Sequence, residues 1–118
     1  MKFNLEGKIF KSLSNTTNGE VNDETLFHYH QNENTVWADY KGGKITKGHL
    51  IAKVLKDGKL DMRYHHINTM GELMVGKCIS TPEIDPEGKL KFKENWQWLS
   101  GDNSSGYSEI IEVEIKKT

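Results

Sequence analysis

The sequence predicts an all-β fold, an up-and-down antiparallel meander of about eight strands forming a barrel or half-barrel around a Trp-rich, partly polar interior. Three observations predict it. Short segments of alternating apolar and polar residues run along the chain, Gly, Asn and Asp punctuate them at close intervals, and no long stretch carries a helical period.

The candidate strands cover 5–13, 25–32, 35–41, 44–56, 59–68, 72–80, 89–99 and 106–116. The first ends in the polar run Ser14 to Glu24, the only long connection, which has no apolar face to dock a helix and reads as a mobile loop or lid. Successive side chains on a strand point to opposite faces, so alternation assigns inner and outer residues. Phe27, Tyr29 and Gln31 give the second strand an inner face. In the third, Trp37 opposes Val36, Ala38 and Tyr40, and either set can face inward. Gly42-Gly43 then accepts positive φ at the tip of a tight hairpin, as does Asp57-Gly58 after the fourth strand, where Leu50, Ala52 and Val54 share a side. The fifth places Leu60, Met62, Tyr64 and His66 together, followed by a longer hairpin at Asn68-Thr69-Met70-Gly71. The sixth is ambiguous, with Met74, Gly76 and Cys78 on one face and Leu73, Val75 and Ile79 on the other. Pro82 to Gly88 reads as a polar loop, because proline cannot donate to a ladder. The seventh is the most legible, with Leu90, Phe92, Glu94, Trp96 and Trp98 inward against Lys91, Lys93, Asn95 and Gln97. Gly101-Asp102-Asn103 makes the last turn, and the eighth strand repeats the pattern with Tyr107, Glu109, Ile111, Val113 and Ile115 inward.

A chain of 118 residues can bury enough apolar surface to fold as one domain, 1–118, without disulfides or a structural metal. The formal charge of −1 supplies no basic field for nucleic acid or anionic lipid, so neither partner is expected. Cys78 is the only cysteine, which favours a reducing compartment and a cytoplasmic location. The stretch Met1 to Gly7 has no apolar signal region, and no run is long and apolar enough to span a membrane.

The inward set Glu94, Trp96, Trp98, Tyr64, His66 and Glu109 is the strongest functional hint, because a buried charge is costly unless it is paired, hydrogen-bonded or wetted. Such groups line pockets; the alternative is that Glu94 pairs with Arg63 or a lysine and the tryptophans fill the core. His28 and His30 lie two apart on the face opposite Phe27 and Tyr29, hence outside. Only Asp39 or His49 on neighbouring strands would complete a metal site there, and none is expected. Cys78 has no nucleophile signature, and no glycine-rich loop precedes a helix to cradle a phosphate, so no cofactor is expected.

The blocks Val36-Trp37-Ala38-Asp39-Tyr40-Lys41-Gly42-Gly43, Gly48-His49-Leu50-Ile51-Ala52, Leu60 to Asn68, Gly71-Glu72-Leu73-Met74 and Glu94-Asn95-Trp96-Gln97-Trp98 resemble a family of short bacterial proteins that often carry the name N-acetylglutamate synthase. The resemblance covers about Phe27 to Ile111. Acetyltransferases of that name resemble mixed α/β folds in which a helix N-terminus and a glycine-rich loop hold the pyrophosphate of acetyl-CoA, and this chain has neither. In architecture the meander is similar to lipocalin, fatty-acid-binding and avidin-type barrels, although Gly7-Lys8-Ile9 lacks the tryptophan of a lipocalin opening motif.

The function these features predict is binding of a small apolar or aromatic ligand inside the barrel, by a monomer or homodimer. Trp96, Trp98, Tyr64 and Trp37 would supply apolar contact; Glu94, His66, Arg63 and Glu109 would fix a polar end. Two alternatives stand beside it, a small isomerase or hydrolase using Glu94 and His66 as acid and base, and an interaction module with an apolar outer patch.

Overall fold

A computed structural model describes residues 3–113. Eight antiparallel strands, β1 (Ile9–Asn15), β2 (Leu26–Asn32), β3 (Thr35–Gly42), β4 (Ile45–Val54), β5 (Leu60–Asn68), β6 (Leu73–Ile84), β7 (Leu90–Trp98) and β8 (Ser105–Val113), pair in sequence order. Pairing of β1 with β8 closes the barrel, and no helix forms among the described residues.

Strand ends depart from expectation at two places. Residues 5–8 do not extend β1: a turn closed by the Lys8 amide on the Leu5 carbonyl, 3.0 Å, tucks Leu5 beneath the barrel. Pro82 lies inside β6 rather than in a loop. Pairing of β6 with β5 stops at Ser80, so beyond it β6 has a neighbour only in β7, and proline's missing N–H costs no ladder bond on the vacated side. The predicted hairpin tips hold, with Gly42, Gly43 and Gly58 all at positive φ.

The inner faces of β2, β4, β5 and β7 are those alternation assigns. The two ambiguous strands resolve with Val36, Ala38 and Tyr40 inward on β3 and Gly76, Cys78 and Ser80 inward on β6. On β8 the expected face is inverted: Ser108 and Ile110 are buried, whereas Glu109 and Ile111 lie on the outer side. Register sets this, because Ser108 is the partner of inward Glu94 and Gly106 of inward Trp96, and cross-strand partners share a face. Ile115 lies outside the described residues.

The two ends of the barrel differ. At the end where β1 begins, Phe10, Tyr29, Val36, Leu60, Phe92 and Ile110 are almost completely buried, and Phe10 packs on Tyr29 and Phe92 with ring centres 5.0 and 5.5 Å apart. Leu5 and Phe3 cap them from below, Phe3 edge-on to Phe92 at 5.7 Å. The opposite end, beneath the β1–β2 connection, is not filled.

Candidate functional site

Small inward residues keep this second end open. Gly48, Gly76 and Gly106 are the cross-strand partners of Tyr40, Tyr64 and Trp96, and a Cβ on any of the three would collide with its partner's ring. Each ring therefore lies flat over a glycine instead of crossing the lumen. What remains is a cavity of about 50 Å³, walled by Phe27, Leu50, Met62, Tyr64, Trp96 and Trp98 and roofed by Gly19, Glu20 and Val21. A water needs roughly 10–15 Å³ measured in this way, so the space holds a few waters or a small molecular head group. Trp98 is the aromatic hub, with Trp96, Tyr64 and His66 ring centres 5.4–5.8 Å away.

Glu94 forms one polar wall. Register places a serine on each side of it, Ser80 on β6 and Ser108 on β8. Ser80 donates to one carboxylate oxygen at 2.6 Å and Ser108 to the other at 3.5 Å, while the Cys78 sulfur lies 3.9 Å from the first. Among the described residues no ion pair includes Glu94. Burial dominates its titration, pushing the carboxyl up to about 7 against the opposing pull of these hydrogen bonds. Burial also pushes the Cys78 thiol up, so Cys78 is a small wall residue rather than a poised nucleophile. Among the described residues two buried polar atoms lack a protein partner, the Tyr29 hydroxyl and the Asn15 side-chain oxygen, the latter on a residue of the cavity wall.

His66 belongs to a different cluster at the mouth. Its Nε2 lies 2.7 Å from a Glu20 oxygen and its Nδ1 2.9 Å from the Tyr40 hydroxyl. A carboxylate can only accept, so Nε2 carries the proton and Nδ1 accepts from Tyr40. Burial holds the imidazole below its usual range, opposed by the Glu20 hydrogen bond, which agrees with a neutral ring. Asn68 donates to the second Glu20 oxygen at 2.9 Å. Glu94 and His66, invoked together as acid and base, thus have separate partners.

The structure brings Glu94, Trp96, Trp98, Tyr64 and His66 to one cavity. It places three predicted residues elsewhere. Arg63 is on the outer face of β5, paired with Asp61 at 2.8 Å, because alternation opposes it to Met62 and Tyr64. Glu109 is outside, bonded to Lys91 and the Tyr107 hydroxyl, both at 2.7 Å, since β8 is inverted. Trp37 is outside too, stacked on His30 at 5.6 Å, because Val36, Ala38 and Tyr40 take the lumen. Of the outer histidines, His30 pairs with Glu6 and His49 with Asp39, each at 3.1 Å. Among the described residues no group of three or more His, Cys, Asp or Glu is arranged to hold a metal ion. Sequence reasoning missed Glu20, Asn68, Ser80 and Ser108. For the serines the signal lay in cross-strand register, which one sequence does not reveal; Glu20 lies in a loop that carries no periodicity at all.

A closed eight-stranded meander, packed at one end and hollow at the other around aromatic side chains, defines an up-and-down barrel of the lipocalin and avidin type. Residues 3–113 match the family described as Avidin-like protein, and the chain belongs to that family, whose barrels typically bind small ligands. The avidin-type likeness, rather than the acetyltransferase name, is what the match supports. Comparison with curated proteins and with solved structures gave no match.

Proposed function

We propose that this barrel binds a small molecule with an apolar or aromatic body and an N–H-bearing, preferentially cationic head, the head seated on Glu94. The carrying observation is a carboxylate buried against two serines and a thiol with no cation paired to it among the described residues. An isolated buried carboxylate is costly, and a ligand that brings the missing charge or N–H donors recovers that cost. Asn15 adds an unpaired acceptor and the tryptophans supply stacking surface. The cavity is small, so the head group defines recognition, and a larger body extends toward the mouth beneath the β1–β2 connection.

Tryptophan fluorescence titrations with benzamidine, benzamide and benzoate test this. Benzamidine is expected to bind most tightly and benzoate least. Since only the ionised carboxylate attracts a cation, and Glu94 titrates at about 7, benzamidine affinity should rise about tenfold between pH 6 and 8. Equal binding of all three, or tightest binding of benzoate, would sink the proposal.

A further inference from the structure

We infer that the β1–β2 connection is a latch, in which the chain's own Glu20 carboxylate, clipped onto His66 and Asn68, closes the mouth of the cavity. The clip is made at both carboxylate oxygens, 2.7 Å to His66 and 2.9 Å to Asn68. Its two donors are anchored in the barrel, His66 only 2% and Asn68 only 3% exposed, while the Glu20 side chain remains 21% exposed. The more exposed partner, on the connection, is therefore fastened to two groups buried in the barrel.

The rest of the connection is tied in the same manner. Trp98 donates its indole N–H to the Asn18 carbonyl at 3.0 Å, and the Asn18 amide reaches Ser104 and the Ser105 carbonyl at 3.0 and 2.9 Å. Between Thr16 and Glu24 only Val21 packs its aliphatic side chain against the core. A segment held by a few polar clips and little apolar burial opens at a lower free energy than the strands beneath it. Opening also exposes polar groups that water can satisfy, so the closed form is favoured without being locked.

Three groups give the clip its direction. Tyr40 fixes the His66 tautomer that donates toward the mouth, and Trp98 packs against the His66 ring at 5.8 Å. Asn68 is itself held by accepting from the Met70 and Glu72 amides, so its amide nitrogen has one orientation left, toward Glu20 and Glu72. The donors are thus preset, and Glu20 is the part that comes and goes.

For binding, the inference rests on the reading of the cavity as a ligand site, but the latch can be tested without a ligand. Cys78 is the only cysteine, lies 4% exposed in the cavity wall, and becomes reachable by a small reagent when the mouth opens. The experiment follows alkylation of Cys78 by iodoacetamide in the native protein by mass spectrometry, with amide exchange of Leu50 and Ala52 in β4 measured in parallel. Glu20→Ala is expected to speed alkylation about tenfold or more, the factor carried by losing hydrogen bonds to a charged group, with β4 exchange unchanged. Glu20→Gln, which keeps one acceptor, should fall between. Glu112, opposite Phe10 at the packed end and paired with Lys8 at 2.7 Å, is the control, and Glu112→Gln should leave the rate as in the parent. An unchanged Cys78 rate in Glu20→Ala, or a rise matched by faster β4 exchange, overturns the latch. If alkylation accelerates as expected while benzamidine fails to bind either form, the latch stands and the ligand reading falls.

Discussion

Glu94 shows how one residue gains a property its sequence position only hints at. Its carboxyl is surrounded by Ser80, Ser108 and Cys78 and titrates at about 7, against an ordinary 4.5, because burial penalises the charged form. Between those values the native chain holds a proton that the unfolded chain has released, so stability falls as pH rises through this window and levels off above it. The shift corresponds to about 3 kcal/mol lost between pH 4 and pH 8. Glu94→Gln should remove that dependence, leaving the variant more stable than the parent at pH 8 in urea denaturation and abolishing the pH-dependent part of benzamidine binding. Glu109→Gln, outside the barrel, weakens the contacts with Lys91 and the Tyr107 hydroxyl and should change stability by less than about 1 kcal/mol without altering the titration of Glu94. The two glutamates looked alike in sequence. On β7, Leu90, Phe92, Trp96 and Trp98 all share the parity of Glu94, so its direction was legible; on β8 both parities carry apolar residues, and only pairing with β7 decides between them. Trp37 misled for a related reason, since size suggests burial while its smaller neighbours Val36 and Ala38 are the ones the lumen accepts.

At the level of strands, the cavity is produced by pairs rather than by any single element. Tyr40 over Gly48, Tyr64 over Gly76 and Trp96 over Gly106 each need the glycine on the neighbouring strand. The glycines were visible as interruptions in alternating runs, but their purpose appears only when register sets an aromatic ring across from each. Gly76→Ala should therefore act at a distance from its own strand. The new methyl would force the Tyr64 ring toward the lumen, costing about 1–3 kcal/mol by overpacking and taking up space that benzamidine would use. Thermal unfolding and the fluorescence titration measure the two effects separately. Retention of full affinity in a destabilised Gly76→Ala protein would show that Tyr64 relaxes away from the cavity. The turns were readable because Gly42, Gly43 and Gly58 meet a local backbone demand; the β1–β2 connection was not, because its order comes from partners far along the chain such as His66, Asn68 and Trp98.

Over the whole molecule, stability and binding are assigned to opposite ends of one barrel. The packed end concentrates fully buried aromatic and aliphatic side chains and is sealed by Leu5, which is 0% exposed and whose amide is held by the Gln31 side chain at 2.9 Å. The hollow end carries the costly groups, a buried carboxylate and the unpaired Asn15 side-chain oxygen, which the tight packing opposite must offset. If this division holds, a substitution at the packed end should cost stability and spare binding. Leu5→Ala removes a completely buried side chain and should lower the unfolding free energy by about 2–5 kcal/mol. The urea midpoint should fall while the denaturant dependence stays as in the parent, because the same surface is still exposed on unfolding. Benzamidine affinity measured well below the transition should not move, since Leu5 does not line the cavity. A matching loss of affinity would mean that packing at the sealed end sets the geometry around Glu94, through Phe92 two residues before it on β7 and the Tyr29 ring behind.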